Sequence, residues 1–161
     1  MKYIFLMIFN LFTLIIFAQK HTNTLKVHGG PELTTGLFAD GYKTGWGVYA
    51  TDYVGLGDKT SLSLSTGVAF WNAKNASIKA GMSLTRLGLR QFVSNGLYFQ
   101  GDAGLGIGLS DWSNDKEFVF GGGTGYLFKT KKGGGFDLSL RANRGFSRTW
   151  IGLGLGYEFK L

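Results

Sequence analysis

The C-terminal stretch of the chain, residues 149–161, is the most informative about the fold and reads TWIGLGLGYEFKL. Large apolar or aromatic side chains occupy every second position from Ile151 onward, and Gly152, Gly154 and Gly156 stand between them. Alternation with a period of two indicates a β-strand, because successive side chains point to opposite faces. Three glycines on one face weaken an ordinary strand, but a narrow closed barrel offsets their cost because its interior has little room for side chains.

Seven further segments show the same two-faced pattern, so the chain is predicted to contain eight strands. The predicted strands span residues 25–38, 44–55, 61–71, 78–93, 97–110, 118–128, 136–146 and 149–161. Each is at least as long as the ~9–11 residues that a tilted strand needs to cross a bilayer. An even number of antiparallel strands can close into a barrel, which leaves no unpaired edge in lipid.

Two of these segments alternate less cleanly than the others. In the second segment the pattern blurs near Asp52. In the fourth, the apolar side chains stand at even positions over residues 78–84 and then at odd positions, at Leu87 and Leu89. An extra residue in one strand reverses the faces in this way, so we predict a β-bulge at residues 85–86.

The N-terminal segment has the layout of a secretory signal peptide. A positive start at Lys2 is followed by an almost wholly apolar run over residues 3–17 and then by Ala18. This run is shorter than the ~20 residues of a transmembrane helix, and its order of regions is that of an export signal. We therefore expect a leader at residues 1–18, cleaved after Ala18, and a single barrel domain at residues 19–161.

The composition excludes several classes of protein. The chain has 27 glycines and 1 proline among 161 residues, with 16% aromatic and 17% charged residues. A disordered chain is poor in aromatic residues, and collagen needs a triplet period that these glycines lack. The absence of cysteine excludes disulfides and thiolate chemistry. The formal charge of +7 favours an anionic membrane surface over nucleic acid, because the leader directs the chain to export.

Alternation alone does not say which face of the barrel is outside. A soluble lipocalin-type barrel places the apolar face inward, and its outer face here would be rich in glycine and serine and poor in charge. A transmembrane barrel places the apolar face in lipid. We therefore predict an all-β, eight-stranded, antiparallel up-and-down transmembrane β-barrel. Aromatic residues near the strand ends fit two interfacial girdles: Trp46, Phe70, Phe99, Phe118, Phe128, Phe136, Tyr157 and Phe159.

The inward face then carries charged side chains that can pair with one another. We expect a polar network inside the barrel formed by Lys26, His28, Glu32, Lys79, Arg86, Arg90, Asp102, Asp137, Arg141, Glu158 and Lys160. Side chains just fill the interior of an eight-stranded barrel, which favours a static network over a conducting path. A narrow channel for small or apolar solutes is an alternative function.

The residues indicate no enzyme. His28 is the main candidate for a catalytic base in a lipid-modifying reaction, but a histidine hydrogen-bonded to Glu32 or to another neighbour is the simpler interpretation. The chain has no G-x-S-x-G, H-E-x-x-H or P-loop motif. We expect no catalytic site, no metal site and no cofactor.

Each loop on one side of the predicted barrel contains a basic residue. If both termini face the periplasm, the loops outside the cell are residues 39–43, 71–76, 111–117 and 146–149. Their basic residues are Lys43, Lys74, Lys116 and Arg148, which can form charge-assisted pairs with lipopolysaccharide phosphates. Ordinary solvated loop charge is the alternative. On the opposite side, the basic turn at residues 129–132 can contact an anionic partner.

The chain from residue 19 to 161 resembles the small outer-membrane β-barrel proteins of the OmpA-like and PorT-like families. The resemblance rests on the alternating strands and on the ending GLGYEFKL, in which Tyr157, Phe159 and Leu161 look like the C-terminal signal read by the barrel-assembly machinery. The usual final aromatic residue is Leu161 here. The resemblance implies location in the outer membrane, contact with its lipid, and a structural or interaction role with a partner in a membrane complex. A soluble, lipocalin-like periplasmic carrier is the alternative from another class.

Overall fold

The computed structural model describes residues 23–74, 79–109, 116–131, 133–146 and 148–161. The expected leader at residues 1–18 lies outside these ranges. Eight antiparallel strands form one closed barrel, in which each strand pairs with its neighbours in sequence and the last pairs with the first. The strands are β1 (Asn23–Thr35), β2 (Gly45–Gly55), β3 (Thr60–Asn72), β4 (Lys79–Phe92), β5 (Leu97–Gly108), β6 (Lys116–Lys129), β7 (Gly135–Arg144) and β8 (Thr149–Lys160). The predicted up-and-down barrel of eight strands is confirmed.

The two ends of the barrel differ in what covers them. The beginning of β1 and the end of β8 lie at one end, called here the terminal end, and the β1–β2 connection lies at the other, the distal end. A short helix, α1 (Leu37–Gly41), follows β1 there, although the sequence predicted that the strand would continue to residue 38. Gly36 adopts a φ of 58°, which lets the chain turn from strand into helix. No helix in the described residues is long and apolar enough to cross a membrane.

Strand β4 has no bulge, so the bulge predicted at residues 85–86 is wrong. All 13 of its pairs with β3 follow one unbroken register. Ala80, Met82 and Leu84 point into the barrel, where they are at most 7% exposed, and Leu87 lies on the outer wall at 60% exposure. The apparent change of face has a different cause. The interior at the distal end is itself apolar, so inward positions there carry apolar side chains.

Strand β2 also alternates regularly over its whole length. Tyr49, Thr51 and Tyr53 are buried inside the barrel, whereas Val48 and the half-buried Asp52 lie on the outer face. The sequence pattern blurred near Asp52 because two aromatic residues face inward and one carboxylate faces outward.

Apolar side chains cover the outer wall on all eight strands, which confirms the predicted assignment of faces. Phe120 on β6 is 50% exposed, and Leu155 on β8 is 67% exposed. The predicted girdle residues all lie on this wall. Toward the terminal end the rings of Phe136 and Tyr157 are 5.2 Å apart, and those of Tyr157 and Phe159 are 4.7 Å apart.

Glycines on the inner face make room for large polar aromatic residues. A Cβ atom added to Gly47 would lie 2.7 Å from the hydroxyl of Tyr49, and one added to Gly125 would overlap the hydroxyl of Tyr98. The alternating glycines therefore leave the space that the tyrosine side chains need as they cross the interior.

Candidate functional site

The interior of the barrel near the terminal end contains two buried ion pairs. The ammonium of Lys26 donates to the carboxylate of Asp137 at 3.1 Å and to the hydroxyl of Tyr98 at 3.2 Å. That hydroxyl in turn donates to Asp137 at 2.7 Å. The guanidinium of Arg90 donates two hydrogen bonds, of 2.6 and 3.2 Å, to the carboxylate of Glu158. Both pairs join strands that are not neighbours: Lys26–Asp137 connects β1 and β7 across β8, and Arg90–Glu158 connects the opposite strands β4 and β8.

Tyrosines on the inner face of β2 and β5 complete this part of the network. The guanidinium carbon of Arg90 lies 3.5 Å from the ring centre of Tyr53, which is a close cation–π contact. The hydroxyl of Tyr53 donates to the side-chain oxygen of Gln100 at 2.9 Å. Tyr53 and Gln100 stand at inward positions of regularly alternating strands. Their place in this alternation was the sequence signal that could have identified them as members of the network.

A second cluster occupies the middle of the barrel. Asp102 lies between two arginines, with its carboxylate oxygens 3.0 Å from Arg141 and 3.6 Å from Arg86. Arg86 also donates to the side-chain oxygen of Asn143 at 2.8 Å. Glu32 completes the cluster on the opposite side and has 4% of its surface exposed. The predicted network residues described here therefore lie together inside the barrel.

His28 lies inside the barrel, as the simpler interpretation of this histidine expects, but Glu32 is not its hydrogen-bond partner. Glu32 accepts a hydrogen bond of 2.8 Å from the hydroxyl of Tyr49. The imidazole of His28 stacks on the ring of the same tyrosine, with a centroid distance of 5.3 Å. Tyr49 therefore contacts the two residues in different ways: it donates a hydrogen bond to Glu32 and stacks on His28. Stacking holds the imidazole in place without using its nitrogens.

Two other predicted members of the network stand differently. Lys160 is exposed at the terminal end, so its predicted place inside the barrel is wrong. It is the last residue of β8, where the strand reaches beyond the barrel interior. Lys79 pairs with Asn72 at the distal end of β4, and its side chain lies outside the described part of the structure.

An apolar core fills the interior near the distal end, and the alternation of apolar residues did not indicate it. The indole rings of Trp71 and Trp150 meet edge to face at 5.4 Å, and each residue is at most 1% exposed. Phe38 of α1 packs on Trp71 at 5.3 Å and closes the core from outside. Met82 and Val119 are fully buried beside them. We call this group the distal plug.

The interior contains small cavities. One of about 20 Å³ lies beside His28, Glu32 and Arg141. A second cavity of about 10 Å³ lies beside Lys26. Ser139 lines the first cavity, and its hydroxyl donates to the carbonyl of Gly154 at 3.4 Å. A cavity of this size has no room for a lipid substrate.

The four basic residues proposed for lipopolysaccharide contact all stand at the distal end, with different surroundings. Lys43, Lys74 and Lys116 are exposed. Backbone hydrogen bonds join the loops of the first two, from Lys43 N–H to Asn72 at 2.8 Å and from Lys74 N–H to Gly41 at 2.9 Å.

Arg148 differs from these lysines, because it already has an internal partner. Its guanidinium donates to the carboxylate of Glu117 at 3.3 Å, and only 20% of its side chain is exposed. Among the described residues, no group of three or more His, Asp or Glu side chains is arranged to hold a metal ion.

Comparison with known proteins supports the fold and nothing finer. No family model matches the chain, and no curated protein matches it in sequence. Among solved structures, the attachment invasion locus protein Ail of Yersinia pestis is 14% identical, with a TM-score of 0.58 over 88% of this chain and 100% of that one. Ail in a phospholipid bilayer nanodisc gives 13% identity and a TM-score of 0.57, over 87% of this chain and 100% of that one. A designed transmembrane β-barrel gives 17% identity and a TM-score of 0.55, over 89% and 99%. The chain therefore has the fold of eight-stranded transmembrane β-barrels.

Proposed function

We propose that this protein is an integral outer-membrane β-barrel with a structural or interaction role and no catalytic activity. The observation that carries the proposal is the inversion of its two faces. Leu155 on the outer wall is 67% exposed, whereas Lys26 and Asp137 inside the barrel are at most 1% exposed. Such a wall is unfavourable in water but matches the hydrocarbon core of a bilayer. We propose that the leader at residues 1–18 directs the chain to export.

The filled interior supports this role over the two alternatives. A soluble carrier for an apolar ligand needs an apolar cavity, but the interior cavity of about 20 Å³ is lined by the charged side chains of Glu32, Arg86 and Arg141. A channel needs a continuous passage, and the distal plug stands across the barrel axis. We therefore propose that the protein acts through its outer surfaces.

The proposed partners follow from those surfaces. The outer wall contacts outer-membrane lipid, and Lys43, Lys74 and Lys116 at the distal end suit lipopolysaccharide phosphates. Tyr157 and Phe159 lie near the end of β8, and Leu161 follows the strand as the next residue of the same alternation. These three residues suit recognition by the barrel-assembly machinery. A second membrane protein is a further candidate partner of the wall.

The first test is the behaviour of the protein on a denaturing gel. The membrane fraction is extracted in mild detergent and loaded with and without boiling. A closed lipid-facing barrel keeps its ladder of backbone hydrogen bonds in cold detergent, so we expect the band to move on heating. Recovery from the soluble periplasmic fraction without detergent would contradict the proposal and reverse the assignment of faces.

A further inference from the structure

The ladder of backbone pairs along the seam between β1 and β8 is interrupted at one place. The two strands pair in a single register, but the pairs expected at Gly30 and Pro31 are missing between Gly29↔Leu155 and Glu32↔Gly152. Proline has no N–H group, so it cannot donate to a ladder. The residue opposite Pro31 in this register is Leu153, whose carbonyl loses a ladder donor as a result.

This carbonyl lies directly against the inner side of β1. A Cβ atom added to Gly30 would overlap the carbonyl oxygen of Leu153, so glycine is the residue that permits the approach. A backbone carbonyl without a donor is unfavourable at membrane depth, because lipid offers no hydrogen bond in return. A donor for this carbonyl therefore has to come from the inner side of the wall.

The larger interior cavity reaches the wall at this point. Its lining includes Gly30, Leu153 and Gly154 from the seam, together with His28 and Glu32 from the interior. Two polar atoms of these side chains, Nδ1 of His28 and Oε2 of Glu32, are buried and have no hydrogen-bond partner among the residues that the structure describes. His28 is 7% exposed and Glu32 is 4% exposed.

We propose that this cavity is a hydration site, in which a bound water molecule bonds to Glu32 and His28 and replaces the donor that Pro31 removes from Leu153. The volume of about 20 Å³ accommodates one water molecule, which needs about 10–15 Å³ and two to four polar partners. Water can donate one hydrogen to the carbonyl of Leu153 and the other to the carboxylate of Glu32, and its oxygen then accepts from Nδ1–H of His28.

A neutral ligand fits the charges better than an ion does. Arg86 and Arg141 line the cavity and repel a cation, whereas the carboxylate of Glu32 disfavours an anion. Gly152 and Gly154 keep the space open. A Cβ atom at Gly152 would lie 2.6 Å from Oε2 of Glu32, and one at Gly154 would lie 3.2 Å from Cδ2 of His28.

The site can be tested by nuclear magnetic resonance of the folded protein in detergent micelles. We expect dipolar cross-peaks between water and the amide protons of residues 29–30 and 152–154, with the sign that distinguishes them from proton exchange. Gly154→Ala places a methyl group in the cavity and should abolish these cross-peaks. Gly122→Ala is the matched control, because a Cβ there points outward and lies 3.7 Å from the carbonyl oxygen of Gln100, at ordinary contact distance. It should leave them unchanged.

Two results would overturn the proposal. Absence of the cross-peaks in the native protein, or their persistence in Gly154→Ala, would show that no water occupies the site. If Gly154→Ala does not fold, as judged by the heat-dependent gel shift, Pro31→Val provides the second test. It restores an N–H opposite Leu153, so the new amide at position 31 should be protected from deuterium exchange. An unprotected amide would contradict the missing donor on which the site depends.

Discussion

At the scale of single residues, the stability of the barrel depends on charges that are buried together. Asp137 is 0% exposed and Lys26 is 1% exposed, and Tyr98 bonds to both. Two buried charges stabilise a protein only when their geometry and hydrogen bonds offset the cost of leaving water. Lys26 lies on β1 and Asp137 on β7, so this pair forms only when β8 closes the barrel against β1.

We predict that Asp137→Ala destabilises the barrel by about 3–5 kcal/mol, because it leaves the ammonium of Lys26 buried without a counter-ion. Urea unfolding in detergent or lipid vesicles measures the change. The double variant Lys26→Met with Asp137→Leu should recover most of the loss, since it removes both charges. Lys59→Ala, at an exposed turn, is the control and should change stability by less than about 0.5 kcal/mol. Equal effects of Asp137→Ala and Lys59→Ala would show that the pair has no structural role.

At the scale of the elements, strand β4 shows how an apolar interior can imitate a bulge. Its inward residues are apolar near the distal plug, as at Leu84, and charged nearer the terminal end, as at Arg86 and Arg90. Its outward residues run from Ser83 to Leu89 without a break in register. The identity of a side chain therefore follows the depth of its position as well as its face.

We predict that a cysteine at position 83 of the folded barrel reacts with a lipid-soluble maleimide and that one at position 84 does not, because Leu84 is fully buried in the packed interior. The chain has no cysteine, so Ser83→Cys and Leu84→Cys each provide a single reactive thiol. The two positions lie at nearly the same depth and differ only in face. Reaction at position 84 with protection at position 83 would restore the bulge and reject the continuous register.

The role of the distal loops in binding can be tested separately from the stability of the barrel. We predict that Lys43→Ala with Lys74→Ala weakens binding to lipopolysaccharide in mixed micelles by about 1–2 kcal/mol, because two exposed charge-assisted pairs are lost. Lys59→Ala with Lys129→Ala, at the terminal end, is the control and should have no effect.

Arg148→Ala should behave differently from the lysine variants. It should mainly lower stability, since Arg148 pairs with Glu117. If the distal and terminal lysine pairs have equal effects, the proposed contact with lipopolysaccharide is wrong.

At the scale of the whole molecule, the interior is balanced in charge and closed at one end. Four basic and four acidic side chains meet inside: Lys26, Arg86, Arg90, Arg141, Glu32, Asp102, Asp137 and Glu158. The formal charge of +7 therefore belongs to residues outside this network. The distal plug, with Trp71 and Trp150 at its centre, stands between the network and the distal end.

We predict that the purified barrel conducts no measurable ion current in planar lipid bilayers, because paired side chains and the plug fill its interior. The measurement should extend over a range of voltages and salt concentrations. Trp46→Ala, on the outer wall, should remain silent like the native protein. A reproducible, ion-selective current from the native barrel would support the channel alternative instead.

Period-two alternation was enough to identify the strands, their faces and the closed architecture, because it records directly which side chains meet lipid. It also placed Lys26, Asp102 and Asp137 on the inner face. The pairing of these charges became visible only in the folded barrel, since partners such as Arg90 and Glu158 are 68 residues apart and approach across the interior. The distal plug was hidden for the same reason: an apolar residue looks alike in sequence whether it faces lipid or a packed interior, and only closure of the barrel distinguishes the two.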